Sequence, residues 1–295
     1  MPEYHVKPVP VLDERDLPPV LGDGPDLLPG YAELHCLSNF SFQRGASHPQ
    51  ELVRRAYDLG YAALAITDEC SVAGVVRAWS GWNDYAAFID RLEKDFPGKR
   101  RKRDFQLLFG SEFDLGDARI VAIARDLQGW GGLCQFITAA RTTTAPKGQY
   151  RVGWDQSDFS LLRGCEILYL PSRQDAPDMA TLCQRLARAA TLLGHLWLAV
   201  ELAQQLDDKL WLATLREAAE RSGIPLVAAG GVQMHVRSRK PLHDVITAVR
   251  LGKPVDACGL ALEGNAERHL RQRKRLADVY PADLLAHTLE VMRRC

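Results

Sequence analysis

Seven short apolar runs, separated by longer amphipathic stretches, constrain the fold of this chain more than any other feature. Nearly continuous apolar runs of this length are typical of β-strands in a sheet whose two faces are both covered. The pattern therefore predicts an α/β fold of about seven strand–helix units, arranged either as a barrel or as a doubly wound sheet. The runs lie at residues 31–37, 61–67, 106–113, 119–124, 166–170, 196–201 and 225–229.

The stretches between the runs carry helical periodicity. The clearest of them, residues 48–59, has Pro49 in its first turn and is followed by Gly60, which favours a helix end. In either α/β arrangement, functional side chains are expected just after the carboxyl ends of the strands. Further helices are predicted at residues 72–95, 129–140, 178–193, 205–222, 240–251 and 282–293.

Composition excludes several classes of function. The formal net charge of the 295 residues is zero, so the chain as a whole is not an electrostatic nucleic-acid binder. The 7 cysteines are scattered and odd in number, which favours reduced thiols in a cytoplasmic protein over a disulfide framework. No apolar run approaches ~18 residues, so we expect neither a membrane span nor a membrane partner.

Three segments follow from the same patterns. Residues 1–29 are rich in proline and poor in apolar periodicity, and we interpret them as an extended N-terminal leader. Residues 30–255 hold the seven apolar runs and form the α/β domain. Residues 256–295 form a basic C-terminal segment.

Polar residues at four predicted strand ends resemble the motifs of the PHP family (polymerase and histidinol phosphatase). The motifs are Leu-His-Cys-Leu-Ser-Asn-Phe-Ser around His35, Ala-Ile-Thr-Asp before Glu69, Phe-Gly-Ser-Glu-Phe around Glu112, and Pro-Leu-Val-Ala-Ala before Gly231. Their shared order and spacing carry the resemblance, which spans about residues 31–235. The resemblance implies a distorted (β/α)7 barrel of the PHP type.

A narrower resemblance covers residues 32–42, 66–77 and 234–242. These segments are similar to the error-prone, DNA polymerase III alpha-subunit-like C-family polymerases of bacteria. The resemblance implies a nucleotidyltransferase that carries out DNA replication across lesions, in damage-induced translesion synthesis and DNA repair. In that family a PHP domain is N-terminal and a palm follows, and residues 280–285 resemble the segment leading toward the palm.

This segment itself is expected to bind no nucleotide and no cofactor. It contains neither a plausible palm motif nor a glycine-rich phosphate loop after a strand. We therefore expect the chain to be the front portion of a longer polymerase, without catalytic residues of its own. The expected partners are the polymerase core domains, DNA through the parent protein, and other proteins of the mutagenesis machinery.

Active PHP domains are similar to one another in binding a cluster of metal ions through histidine and carboxylate ligands. Of the ligands that the resemblance implies, His35 and Glu112 are kept, and Glu69 stands where a histidine is usual. The other positions hold residues that cannot ligate or that repel a cation, which predicts a degenerate site. The vestigial positions are His35, Leu37, Arg44, Glu69, Glu112, Arg119, Gly231 and Gln233.

The degenerate site predicts a structural role without phosphoesterase or exonuclease activity. Three alternatives stay open from the sequence. The chain could be a stand-alone PHP metallophosphoesterase, it could hold a single weakly bound ion on His35, Glu69 and Glu112, or it could be a protein-interaction module of the mutagenesis machinery.

Arginines at former ligand positions suggest how the remaining carboxylates are compensated. Carboxylates that lose their cations repel one another, and a guanidinium supplies permanent positive charge with two-pronged geometry. We therefore expect Arg44, and also Arg119, to occupy the former metal pocket and to pair with Glu112, Glu69 or Asp68.

Two basic patches follow the last apolar run. Clustered lysine and arginine side chains bind phosphate backbones, and they also mark surfaces that dock onto a neighbouring domain. Contact with DNA or with the polymerase core is therefore an expectation for Arg237, Arg239, Lys240, Arg271 and Arg273.

Overall fold

The computed structural model describes residues 27–95, 103–142, 145–173 and 178–295. Most of the leader predicted for residues 1–29 lies outside these ranges. Within them, seven strands form one sheet in which each strand neighbours the next along the chain. The strands are β1 (Ala32–Glu33), β2 (Ala63–Ile66), β3 (Gln106–Asp114), β4 (Ala118–Ala124), β5 (Cys165–Pro171), β6 (His195–Glu201) and β7 (Leu226–Ala229).

Each predicted helix has a counterpart in the structure, and one short helix (α7) was not predicted. Helix α1 begins as its sequence indicates, because Pro49 needs no hydrogen-bond partner there and the Glu51 carboxylate accepts the His48 backbone N–H at 2.9 Å. The helices are α1 (Pro49–Asp58), α2 (Val75–Asp95), α3 (Leu127–Thr142), α4 (Met179–Leu192), α5 (Asp208–Ser222), α6 (Lys240–Leu251), α7 (Arg273–Val279) and α8 (Ala282–Arg294).

The first and last strands approach each other and nearly close the sheet into a barrel. A bridge joins Cys36 to Val232, where the Leu37 N–H donates to the Val232 carbonyl at 2.8 Å and the Val232 N–H donates to the His35 carbonyl at 2.9 Å. The barrel is therefore the correct one of the two architectures that the sequence left open. The predicted strand 31–37 is regular only at Ala32–Glu33 and continues as this irregular closing segment.

Strand β4 departs from the expected alternation of strand and helix. It follows β3 directly through a tight turn and pairs antiparallel with both β3 and β5, whereas the other neighbouring pairs are parallel. Because β4 runs in the opposite direction, its beginning lies at the same edge as the ends of the parallel strands. Arg119, which pairs with Asp114 in the β3–β4 register, is thereby placed at the barrel mouth.

The C-terminal segment packs against the barrel. Helix α8 lies against β7 and β1, and the Ala32 backbone N–H donates to the Thr288 hydroxyl at 3.1 Å. Leu284, Leu285 and Val291 of α8 are buried. Residues 256–295 therefore help to cover the seam between the first and last strands.

Across the described ranges, no helix combines the length and apolarity needed to cross a membrane.

Candidate functional site

His35 lies at the centre of the barrel mouth, buried between two carboxylates. Its Nδ1 is 2.6 Å from Glu201 Oε1 and its Nε2 is 2.7 Å from Glu112 Oε2. An ionised carboxylate can only accept hydrogen bonds, so both ring nitrogens must carry a proton. Burial by itself would lower the pKa of His35, but the two carboxylates outweigh burial and raise it. The two contacts and the raised pKa both favour the imidazolium form of His35.

Glu112 is fully buried and contacts three cations. Its carboxylate accepts from Arg44 Nη1 at 2.5 Å, from Arg119 Nη1 at 2.8 Å and from His35. Burial by itself would raise the pKa of Glu112, but Arg119, Arg44 and His35 together hold it well below its usual range. Glu112 is thus ionised in the barrel interior and joins the other charged groups to one another.

Arg44 reaches the mouth from the turn that follows the first strand. The preceding residue, Gln43, adopts a left-handed backbone conformation with φ of 61°. The Arg44 guanidinium also donates to Glu69 Oε2 at 2.7 Å, and the Tyr150 hydroxyl donates to Glu69 Oε1 at 2.9 Å. The pairing of Arg44 with Glu112 and Glu69, expected from the sequence, is present in the structure.

Three members of the site, Glu201, Glu263 and Arg268, were missed by the sequence reasoning. Glu201 accepts from Arg268 Nη1 at 3.2 Å and from Arg119 Nη2 at 3.4 Å, in addition to His35. Arg268 also donates through Nε to Glu263 at 2.7 Å. Glu201 carried a usable signal, since it is the last residue of the sixth apolar run, at a strand end. Arg268 carried none, because it comes from the segment interpreted as a basic tail.

Gly231, which stands where the resemblance implies an aspartate ligand, makes room for this ion pair. A Cβ at this position would lie 2.4 Å from Arg268 Nη1 and 2.6 Å from Glu201 Oε1. The φ of Gly231 is +55°, in the left-handed region that favours glycine. The absence of a side chain at position 231 therefore leaves room for the Arg268 guanidinium.

The other two substituted positions serve packing and backbone bonding. Leu37, in the place of a second histidine, is fully buried. Gln233, in the place of the final histidine, donates its backbone N–H to the Arg268 carbonyl at 3.0 Å. Its carbonyl accepts from the Ala46 N–H at 2.7 Å, so this strand end holds the Arg44 turn and the Arg268 segment together.

Asp68 and Glu33 lie outside the group of carboxylates that pair with the arginines. Asp68 accepts from the Ser38 and Ser41 hydroxyls at 2.8 and 2.7 Å and from the Ser38 backbone N–H at 2.8 Å. The pairing of Asp68 with an arginine, one of the three expected alternatives, is therefore not the one adopted. Glu33 accepts the Tyr31 hydroxyl and the Gly230 N–H, each at 2.9 Å. Burial raises the pKa of both carboxyl groups.

The charges at the mouth balance one another. Four cationic side chains face four carboxylates, and each carboxylate is within hydrogen-bond distance of at least one cation. We call this set the mouth network, and it consists of His35, Arg44, Arg119, Arg268, Glu69, Glu112, Glu201 and Glu263.

This donor set does not fit the metal cluster that the PHP resemblance implies. The oxygens that would ligate a cation accept hydrogen bonds from guanidinium and imidazolium groups, which would also repel it. Within the parts of the chain that the structure describes, no three His, Cys, Asp or Glu side chains are arranged to hold a metal ion.

A cavity of about 790 Å³ opens beside the mouth network, and its walls carry charges of both signs. Arg173 on its rim is held by Asp207 and Asp208, each at 2.8 Å, and lies over the Trp211 ring. The charges on the side chains that line the cavity therefore already compensate one another. This arrangement does not favour a single strongly charged ligand.

Two residues of the second predicted basic patch, Arg271 and Arg273, are buried rather than exposed. Arg271 is only 2% exposed and donates to the Leu202 carbonyl at 2.9 Å and to the Tyr280 hydroxyl at 3.2 Å. Arg273 is 6% exposed and lies 3.4 Å from the Leu28 carbonyl. The expectation that these two side chains contact DNA or a docked domain is wrong for this fold, since their guanidinium groups stabilise the chain's own interior.

The first basic patch is partly compensated on the surface. Arg239 donates to Glu51 at 2.6 Å, and Lys240 donates to Asp244 at 2.5 Å within α6. Arg237 is largely exposed and is 3.9 Å from Glu267. DNA or domain contact by these three residues stays a prediction.

The chain belongs to the PHP domain family, whose match covers residues 33–221. It is 45% identical over 279 residues to an error-prone DNA polymerase of Azoarcus sp. (strain BH72), a match that covers 90% of this chain and 26% of that protein. An error-prone DNA polymerase of Methylococcus capsulatus is 46% identical over 266 residues, covering 90% and 23%. The chain thus spans about a quarter of the length of these curated relatives.

Among solved structures, an amidohydrolase from Chromobacterium violaceum matches 69% of this chain and 88% of its own, with a TM-score of 0.45 and 15% identity.

Proposed function

We propose that this chain is the N-terminal PHP segment of an error-prone DNA polymerase that acts in damage-induced translesion synthesis and DNA repair in the cytoplasm. Within that protein the segment is structural and has neither phosphoesterase nor exonuclease activity. Its partners are the polymerase core domains of the same protein, and it meets DNA through them. The similarity to error-prone DNA polymerases over 90% of the chain supports the choice of parent protein.

The observation that carries the structural role is the pair of arginines on Glu112. A metallophosphoesterase needs bound cations to lower the pKa of a water molecule and to stabilise charge on the phosphate. Arg44 and Arg119 instead place their guanidinium groups 2.5 and 2.8 Å from this carboxylate. A guanidinium stays protonated throughout the physiological pH range, so it supplies charge without generating a hydroxide nucleophile.

The mouth network also explains why charged residues are retained at a site without hydrolytic chemistry. Removing one member of a buried ion pair leaves an uncompensated charge and costs about 3–5 kcal/mol. The network therefore holds five chain segments together at one end of the barrel. These are the β1–α1 loop, the residues after β2, strands β3 and β4, the end of β6, and the segment before α7.

Metal content and hydrolysis by the purified chain test the structural role. After incubation with Mn²⁺ or Zn²⁺ and removal of free metal, we expect substoichiometric metal and no hydrolysis of p-nitrophenyl phosphate or of single-stranded DNA. Stoichiometric metal together with hydrolysis that is lost in Glu112→Gln and retained in Glu217→Gln would establish the phosphoesterase alternative instead.

The reading frame downstream of Cys295 tests the parent function. We expect it to continue into a palm with paired aspartates, and we expect the full-length protein to extend a primer across a template lesion. A full-length protein without primer extension would contradict this assignment and leave the structure of the mouth network untouched.

A further inference from the structure

Residues 241–261, which we call the α6 surface, expose apolar side chains that the fold leaves uncovered. Val249 is 60% exposed, Val245 is 48% exposed and Leu260 is fully exposed. Leu242, Leu251 and Val255 are exposed as well. Single exposed apolar residues are ordinary, but a contiguous group of them marks an interaction surface.

Helical geometry places part of this group on one stripe. Leu242, Val245 and Val249 are separated by three and four residues, so they lie on the same side of α6. The opposite side carries the buried His243 and Thr247, which face the body of the protein. The apolar stripe therefore points away from the domain's own core.

Charged residues occupy most of the exposed positions on helix α5. Its inner side buries Trp211 and Leu215, and its outer side presents charged residues together with Leu210, which is 71% exposed. Arg221 and Glu217, for example, form an exposed ion pair one turn apart. On α6, three valine and leucine residues form the exposed stripe, and the buried side carries His243, Thr247 and Ala248 in place of large apolar side chains.

We propose that the α6 surface is the docking site for the polymerase portion of the same polypeptide. This proposal rests on the proposed function. The error-prone DNA polymerases that match this chain devote only about a quarter of their length to the matched segment. The remaining three quarters are therefore a covalently linked partner, present at high effective concentration, for which a modest apolar surface is sufficient.

The chemistry of the surface also describes its partner. The exposed charges within residues 241–261 are Arg250, Lys253 and Asp256, which gives a small positive excess around an apolar centre. The complementary surface is therefore apolar, with carboxylates toward Arg250 and Lys253. A phosphate backbone is a poor match, because the valine and leucine side chains offer it no hydrogen bonds.

Thiol labelling in two forms of the protein tests this proposal. Val249→Cys and the control Glu217→Cys are each made in the 295-residue chain and in the full-length polymerase, and maleimide labelling is followed peptide by peptide. We expect Cys at 249 to label roughly tenfold or more slowly in the full-length protein, because an interface core excludes solvent. Cys at 217, on the charged side of α5, should label equally in both.

A second variant separates docking from folding. The double substitution Val245→Asp and Val249→Asp should leave the melting temperature of the 295-residue chain unchanged. In the full-length polymerase it should restore the fast labelling of a reporter, Leu242→Cys. A drop in the melting temperature of the short chain would show that these valines stabilise the domain itself, and it would overturn the proposal.

Two other occupants give distinct results, either of which would overturn the proposal. Protection of Cys at 249 that rises with concentration of the short chain would assign the surface to a second copy. Faster labelling after deletion of residues 1–26 would assign it to the N-terminal leader. Equal labelling in an active full-length polymerase would reject the surface and keep the proposed function. Slow labelling in a full-length protein without polymerase activity would keep the surface and reject the function.

Discussion

The barrel mouth is a buried, charged region, whereas the α6 surface is an exposed, apolar one. At the mouth, buried charges such as Glu112 find cationic partners within the same chain, at distances of 2.5 to 2.8 Å. On the α6 surface, apolar side chains such as Val249 stay in contact with solvent. Buried charges, which are costly in free energy to leave unpaired, have partners within the same chain. Exposed apolar side chains, which cost less free energy to leave in solvent, are not covered by the chain itself.

This difference indicates where each region is completed. At the mouth, four cations and four carboxylates of the same chain compensate one another. The α6 surface gains by burial, and each valine or leucine side chain that becomes buried contributes about 1.5–3 kcal/mol. We therefore propose that the interior of the barrel stabilises this domain and that the α6 surface connects it to a partner.

The largest expected effect is at Glu112. Glu112→Gln keeps the shape of the side chain but leaves His35, Arg44 and Arg119 without their common counter-charge. We expect a loss of about 3–5 kcal/mol in the free energy of unfolding, measured by urea denaturation. The matched control is Glu217→Gln, whose half-exposed carboxylate pairs with the exposed Arg221. It should change stability by less than about 0.5 kcal/mol, and equal losses in the two variants would break the comparison.

Acid should destabilise the mouth selectively. The pKa values of Glu112 and Glu201 are held low by Arg119 together with Arg44 or Arg268, which overcome the opposing effect of burial. Their contribution is therefore complete above the unfolded pKa of about 4.3 and is lost as the pH falls through the folded values. Each group adds up to about 1.4 kcal/mol per pH unit to the slope.

The buried Glu33 and Asp68 act in the opposite direction and at higher pH, because burial raises their pKa values. Their effect falls between the unfolded pKa values of about 4 and the raised folded ones. We still expect the free energy of unfolding to fall between about pH 4 and pH 2, and to fall less steeply in Glu112→Gln. A variant of the α6 surface, Val249→Thr, should reproduce the wild-type pH profile. An identical profile in Glu112→Gln would show that the mouth carboxylates do not carry the acid response.

Substitution of Gly231 tests whether the mouth network depends on the lack of a side chain at this position. Gly231→Ala adds a methyl group against Arg268 and Glu201 and also strains a backbone with φ of +55°. Gly223→Ala is the control, since Gly223 has φ of +71° but nothing within 4 Å of its Cβ position. We expect the first variant to cost about 1–3 kcal/mol more than the second, by urea denaturation. Equal costs would mean that only the backbone matters.

The smallest effect is expected on the α6 surface. Val249→Thr should change the stability of the 295-residue chain by less than about 0.5 kcal/mol, because the side chain is already largely in solvent. Thermal unfolding measures it. A loss above about 1.5 kcal/mol would place Val249 in the core of this domain and would remove the contrast with the mouth.

Much of the fold could be predicted from the sequence, since strands buried on both faces leave a recognisable apolar run. The antiparallel β4 could not be predicted in this way, because an apolar run has no direction. Its direction matters for function, since it is what carries Arg119 to the mouth. The seam between β1 and β7 was also hidden, because a single bridge between Cys36 and Val232 has no sequence signature.

The site was predictable only where its residues follow strands. His35, Arg44 and Glu112 lie in motifs that resemble PHP domains, and their contacts could be anticipated from charge. Arg268 reaches the mouth from a segment that follows the barrel strands, and no local sequence pattern predicts such a contact. Arg271 and Arg273 were mispredicted in the opposite direction. A basic run in the sequence is interpreted as exposed, but two members of this run are buried.

The most direct test of the account is a crystal of this chain soaked in Zn²⁺, with anomalous scattering measured at the zinc edge. We expect the Arg44 guanidinium between Glu69 and Glu112, the His35 ring between Glu112 and Glu201, and no anomalous peak at the mouth. A peak within about 2.2 Å of Glu112 and His35, with Arg44 displaced, would contradict the claim that the chain's own cations complete this site.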